Sequence, residues 1–485
     1  MEKPVPVRVR RCRLFETRLQ TRLPFRFGIA TLTDLPHVFA QVEADVNGGA
    51  PVVGVAADHL PPKWFTKNPN ATPNEDIAEL RTVVRHALRT AEQIGGGPSV
   101  FAAWRALYDA QAAWGAEQHL APLMTGFGTS LVERAMIDAV CRATGQTFVQ
   151  ALRAGTLGLT HLGDLHPELG DQAPGDLLPA ALRDRVFARH TVGLSDPLTD
   201  DEIAPGDRLE DGLPLSLVAN IRRYGLRHFK IKISGDAQND VARLQAIAPV
   251  LAGHAPPDYA FSLDGNEGYP TVAAFRAFWD RVCGTSDLAP FLEHLLFVEQ
   301  PLHRDVALSD AVGALNRDWP HRPLTIIDES DAEIHSLPRA LELGYAGTSH
   351  KNCKGVFKGV ANACLLAHRA RLAQPNALPA LLLSGEDLTT IGPVSLQQDL
   401  AVQAALGVAS VERNGQHYFA GLSQFPPEVQ RQVLAEHPDL FHANSVGGWP
   451  TLTITNGALD LGSVNAAPFG TRVLPDMRWF EDVTG

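Results

Sequence analysis

Five charged residues recur at nearly regular intervals along the second half of the chain. Lys232, Asp264, Glu299, Asp328 and Lys351 follow one another after 32, 35, 29 and 23 residues. Each lies at or near the C-terminal end of a short apolar run: HFKIKIS, YAFSLDGN, HLLFVEQP, LTIIDES and AGTSHKN. In a parallel β/α barrel that end of every strand faces one mouth, so the five would meet there although they are distant in sequence. An open doubly wound sheet would spread them along a line, and a single shared site would be harder to build.

Three carboxylates drawn together in a partly dry site repel strongly and need a counter-charge. Asp264, Glu299 and Asp328 form an all-oxygen set that suits Mg²⁺, with Mn²⁺ as an alternative and water or substrate completing the shell. One carboxylate ending a strand commonly does no more than cap the next helix. Three in consecutive units, beside two inward lysines, point instead to a site.

The strand HFKIKIS sets the lysine geometry. Side chains alternate, so Lys230 and Lys232 share one face while Phe229, Ile231 and Ile233 take the other. Their backbone positions are about 7 Å apart at the usual rise. At an effective dielectric near 20 that distance implies roughly 2 kcal/mol of repulsion, enough to lower a lysine pKa toward the range of a working base. A cation beside a carboxylate and a base beside its α-carbon are the two parts needed to remove the α-proton.

These residues need elements to hold them. From about residue 186 the rhythm is strand, loop, helix, with ARHTVGL and ALLLSGED as further strands. NDVARLQAIAPVLA and FKGVANACLLAHRARLA read as intervening helices. Before residue 155 the pattern differs. HVFAQVEADV reads as a strand ending in the turn Asn47-Gly48-Gly49. PNEDIAELRTVVRHALRTAEQI has helical spacing, with Asn74 as its expected N-cap and Gly95 as its stop. SVFAAWRALYDAQAAW and SLVERAMIDAVCRATG add two helices. The expected division is an α+β domain over 1–155, a barrel over 186–430 and a C-terminal segment over 431–485, with 155–185 as a connection or insertion.

The chain has 485 residues, with 42 Lys and Arg against 54 Asp and Glu, a formal charge of −12. That excess argues against nucleic acid or an anionic membrane as partner. No apolar stretch reaches membrane-spanning length, and the N-terminus lacks the apolar run of a secretory signal. The five cysteines are scattered with no C-x-x-C pair, so reduced thiols in the cytoplasm are expected.

Taken in order, KIK at 230–232, LDGN at 263–266, VEQP at 298–301, IDES at 327–330, SHKNCKG at 349–355 and SGEDLTTIG at 384–392 resemble the enolase superfamily. The likeness is to its mandelate racemase/muconate-lactonizing-enzyme branch, and VERAMIDAVCRATGQTFVQAL resembles the helix closing that family's N-terminal domain. The resemblance implies an α/β fold, a modified TIM-type barrel with an α+β capping domain completed by the C-terminal segment. It implies Asp264, Glu299 and Asp328 as Mg²⁺ ligands with Asn266 in support, and an enediolate intermediate. Lys232 would be the base on one face, Lys230 its electrostatic partner, and Lys351 the acid/base on the other face. Lys354 and Lys358 lie later, in the turn and helix, and His350 should point away. Two capping loops, Pro24–Gly28 and Asp58–Phe65, would shape specificity. Glu386 with Asp387, and Glu412 with Asn414, would hold a substrate amine or hydroxyl, although caps or ion pairs suit these residues as well.

The expected function is therefore Mg²⁺-dependent proton abstraction α to the carboxylate of a small-molecule substrate. Racemisation, epimerisation or cycloisomerisation comes first, and dehydration of a hydroxy or sugar acid second. A Schiff-base lysine barrel or a non-catalytic binding barrel belongs to another class and leaves the three carboxylates unexplained. Extra segments near 155–185, 284–294 and 371–380 would reshape the pocket or make a homo-oligomer contact.

Overall fold

The computed structural model describes residues 3–27, 30–317, 319, 321–373 and 380–485. Gly28 of the first capping loop, and most of the 371–380 segment, lie outside the described residues.

The chain begins with three antiparallel strands, β1 (Val7–Phe27), β2 (Ala30–Val46) and β3 (Pro51–His59). β1 went unrecognised in the sequence because VRVRRCRLFETRL is so rich in charge. Its alternation nevertheless buries Val7 and Val9 and, past a bulge, Cys12 and Leu14, while most of its arginines face outward. Between β2 and β3 the chain turns at Asn47 and Gly48, both at positive φ. Helices α1 (Pro73–Ile94) and α3 (Pro122–Thr144) pack against this sheet, and α2 (Val100–Glu117) packs on both of them. Gly54 in β3 lets α3 approach closely, since a Cβ there would sit 2.0 Å from the Ala135 carbonyl oxygen.

The N-cap of α1 is Thr72, not Asn74. Glu75 N–H donates to Thr72 Oγ1 at 3.3 Å, and Thr72 N–H donates to Glu75 Oε2 at 2.7 Å. T-P-N-E is a reciprocal capping box with proline at the first helical position, and that arrangement places Asn74 inside the helix.

Eight parallel strands follow: β4 (Arg185–Val192), β5 (His228–Lys232), β6 (Ala260–Asp264), β7 (Leu295–Glu299), β8 (Thr325–Ile327), β9 (Gly347–His350), β10 (Leu382–Gly385) and β11 (Ser410–Glu412). They pair in chain order, and β11 pairs with β4 to close the barrel. β11 was not anticipated, for three residues with a single apolar one carry too little pattern to read. The barrel floor is apolar: Phe297, Ile326 and Ala346 pack together with Leu382.

The C-terminal segment touches both regions. Ala458–Asp460 runs antiparallel to β4, and Glu481–Asp482 then adds an edge to β1. No helix among the described residues is long and apolar enough to cross a membrane.

Candidate active site

The strand register brings the expected residues to one rim. Lys232 is opposite Asp264 in the β5–β6 pair, and Asp264 is opposite Glu299 in the β6–β7 pair. Glu299 is in turn opposite Ile326, so Asp328 emerges one pleat above on the same inward face. Lys351 follows β9 directly. With eight strands in closed order, β5 and β9 stand diametrically opposed, and so do Lys232 and Lys351.

Lys230 lies deepest and is fully buried. Its Nζ is 3.0 Å from Asp264 Oδ2, 2.8 Å from Glu299 Oε2, 2.6 Å from Glu386 Oε2 and 3.1 Å from Glu412 Oε2. Burial works against its charge, but these four carboxylates outweigh it and hold the ammonium pKa well above the ordinary value. The expectation that two neighbouring lysines lower each other's pKa therefore does not hold for Lys230, whose acidic neighbours outnumber its cationic one.

The other two lysines each take one aspartate. Lys232 Nζ is 2.5 Å from Asp264 Oδ2, and Lys351 Nζ is 2.6 Å from Asp328 Oδ2. Burial disfavours the charge on Lys351, yet Asp328 raises its pKa overall. Asp328 itself is held far below the usual carboxylate range, because Lys351, Lys354 and Lys230 overcome the effect of burial. Lys354 and Lys358 are engaged behind the rim, with Asp328 and Asp331. His350 points outward as expected: its ring packs on Gly359, where a Cβ would come within 2.1 Å of Nδ1.

Lys232 and Lys351 line one pocket with about 350 Å³ of empty space, counting its open mouth. Phe25, Pro61 and Trp64 from the capping region form its apolar roof, and Asn266, Asp387, Glu412 and Asn414 its polar wall. The Lys351 ammonium lies 4.5 Å from the centre of the Trp64 ring. Asn266 donates its N–H to Asp264 Oδ1 at 2.9 Å and its amide to Glu329 at 3.3 Å. Burial pushes Asp387 up to about 8, with Arg413 opposing and Glu412 and Asp399 adding to the rise.

Glu386 is not part of the pocket lining. Arg189 and Lys230 both bind it inside the barrel, and the Ser384 hydroxyl donates to it at 2.5 Å. Two buried cations engage it there, which is the ion-pair role also expected of it.

Several supporting residues were not read from the sequence. Arg189 and Thr191 face inward from β4, Thr191 donating to Glu412 at 2.8 Å; the alternation of Phe187, Arg189 and Thr191 was the available signal. Glu267 and Arg304 form a bidentate pair, and Arg304 also donates to the Trp64 and Phe65 carbonyls at 3.0 and 2.6 Å. That clamp ties the second capping loop to the barrel. No short motif marks it, because its members are far apart in sequence.

Among the described residues, no three His, Cys, Asp or Glu side chains are gathered into a metal cage. Lysine ammonium groups interleave with the carboxylates, so Asp264 and Glu299 converge on Lys230 while Asp328 turns to Lys351 and Lys354. The donor set nonetheless fits a hard divalent cation. All three side chains offer oxygen from adjacent strand ends, about 4.8 Å apart in backbone spacing. Glu299 is buried, and among the described residues no donor is aligned to either of its oxygens. Burial and Glu386 push its pKa well above the ordinary value, with Lys230 opposing, so a further cation there would offset the rise.

No family model matches the chain, and no curated protein matches its sequence. Solved structures do match. A muconate lactonizing enzyme from Pseudomonas fluorescens, complexed with muconolactone, superposes with a TM-score of 0.59 at 16% identity, covering 98% of this chain and 100% of that one. An N-succinyl Arg/Lys racemase from Bacillus cereus gives 0.57 at 15% identity, covering 95% and 98%. A dipeptide epimerase from Methylococcus capsulatus, complexed with Mg and a dipeptide, gives 0.52 at 16% identity, covering 85% and 92%. The chain shares the fold of these enzymes. It is a modified TIM barrel with an N-terminal cap, as the ordered motifs implied. At these identities the likeness speaks to fold, and function has to be argued from the site.

Proposed function

We propose that this protein is an Mg²⁺-dependent isomerase that removes a proton α to the carboxylate of a small-molecule substrate. The observation that carries the reading is the placement of Lys232 and Lys351 on opposite walls of one pocket, each against its own aspartate. Two bases facing each other across a substrate suit removal of a proton from one side and its return from the other, which is racemisation or epimerisation. Cycloisomerisation needs only one of them for the proton step.

Asp264, Glu299 and Asp328 would hold Mg²⁺, which when bound supplies positive charge beside the substrate carboxylate and stabilises the charge that develops as the proton leaves. Lys230 remains protonated among its carboxylates and fixes their arrangement. Lys232 Nζ and Lys351 Nζ are the groups that accept or donate the proton. Phe25, Pro61 and Trp64 exclude water above them. Asp387, Glu412 and Asn414 form a wall that would take a hydrogen-bond donor on the substrate, an amine or a hydroxyl, and Asn266 would steady the rim.

The test is incubation with a library of chiral carboxylic acids in D₂O with Mg²⁺, with deuterium at the α-carbon read by NMR. Exchange that requires the metal and is lost with EDTA is the expected result. Metal-independent turnover trapped by borohydride would mark a Schiff-base lysine enzyme instead. Absence of exchange across α-hydroxy, α-amino and N-acylamino acids would overturn the proposal.

A further inference from the structure

We infer that Lys354 is a positioning residue that fixes Asp328 so that only its Oδ2 faces the cavity. The inference rests on reading Asp328 as a ligand of the divalent cation. Its two oxygens have different surroundings. Oδ1 accepts a hydrogen bond from Ser349 Oγ at 2.5 Å and another from Lys354 Nζ at 3.1 Å. Among the described residues, Oδ2 accepts a hydrogen bond only from Lys351 Nζ, at 2.6 Å.

Lys354 is itself held from several sides. It donates to the Ser349 carbonyl at 2.6 Å and the Asp328 carbonyl at 3.2 Å, and its side chain is 1% exposed. Asp331 Oδ2 lies 3.6 Å from it. Asp331 in turn binds Lys358 at 2.9 Å, and it accepts from Thr348 at 3.0 Å and Asn362 at 3.2 Å. Asn362 reaches His166 of the 155–185 segment at 3.0 Å. The main chain of Asp328 is fixed separately, its N–H donating to Gln300 Oε1 at 2.8 Å.

Bidentate use of Asp328 would require breaking both bonds to Oδ1. The frame therefore makes Asp328 a one-oxygen donor and keeps Lys354, a cation three residues from Lys351, out of the pocket. Outer partners of this kind orient a ligand rather than bind the metal.

The experiment measures Mg²⁺ affinity of the full chain by titration calorimetry, with circular dichroism as a check on folding. Lys354→Met is expected to weaken Mg²⁺ binding by roughly 10–100-fold, the usual loss when an outer partner is removed. Lys354→Arg should recover part of it. Asp328→Asn serves as the reference and should lose binding more completely. Native affinity in Lys354→Met, with lost affinity in Asp328→Asn, overturns the positioning role alone; a lower melting temperature without a change in affinity counts the same way. Native affinity in Asp328→Asn overturns the ligand reading and this inference together. If Lys354→Met does not fold, Ser349→Ala decides: it removes one of the two bonds to Oδ1, and native affinity there sinks the inference.

Discussion

On both walls of the pocket a lysine pairs with an aspartate, but the two pairs are supported from different places. On the Lys232 side the support comes from inside the barrel, where Lys230 sits two residues earlier on the same strand among four carboxylates. On the Lys351 side it comes from outside. Lys354 and Ser349 hold Asp328 from behind, and Trp64 reaches down from the capping region over the ammonium. The proposed base Lys232 thus shares its strand and its inward face with Lys230, one pleat away. The surroundings of Lys351, the proposed opposing base, are assembled from β9, the loop after β8 and a loop of the capping region, so they depend more on tertiary packing.

The largest test of this contrast is removal of each base. Lys232→Ala and Lys351→Ala should each slow α-proton exchange by about 10²–10⁴-fold for one substrate epimer and leave the other epimer's exchange closer to native. Deuterium incorporation into each enantiomer, followed by NMR, reads this directly. Equal, undiminished exchange in both variants would remove the two-base picture.

Lys230→Met should cost about 3–5 kcal/mol of stability, because it strands buried carboxylates without their cation. Denaturant melts would show it, and the loss should greatly exceed that of Lys232→Met, whose ammonium is in ion-pair reach of Asp264 alone among the described residues.

Gly359→Ala should cost about 1–3 kcal/mol through overpacking against the His350 ring. Because His350 precedes Lys351, its catalytic effect should fall on the Lys351 epimer more than on the other. The smallest effect is expected of Trp64→Leu, which removes an ammonium–indole contact worth about 0.5–2 kcal/mol. Exchange from the Lys351 side should fall by a few-fold to about 30-fold, and exchange from the Lys232 side should hardly move.

Much of this arrangement was legible before any coordinates. The repeated polar ending of apolar runs identified seven of the eight barrel strands, and the alternation in FKIKI placed Lys230 and Lys232 on the inward face. What escaped was of two kinds. Short or heavily charged strands, Ser410–Glu412 and Val7–Phe27, carry too little hydrophobic contrast for periodicity to register. Local competition between caps also misled: Asn74 is a good cap residue in isolation, but Thr72 with Glu75 supplies two reciprocal bonds where Asn74 would supply one.

Residue order alone, then, marked seven of the eight barrel strands, the side of each strand on which a charge projects, and the all-oxygen character of the acidic set. Those properties follow from backbone period and side-chain chemistry, which are local. The folded chain alone settled which charges meet. It withdrew Glu386 into a pair with Arg189, surrounded Lys230 with acids that raise its pKa, turned Asp328 toward Lys351 and Lys354, and brought Trp64 above the rim. Electrostatic energy depends on separation in space and on burial, and neither quantity is written in the spacing of residues along a chain.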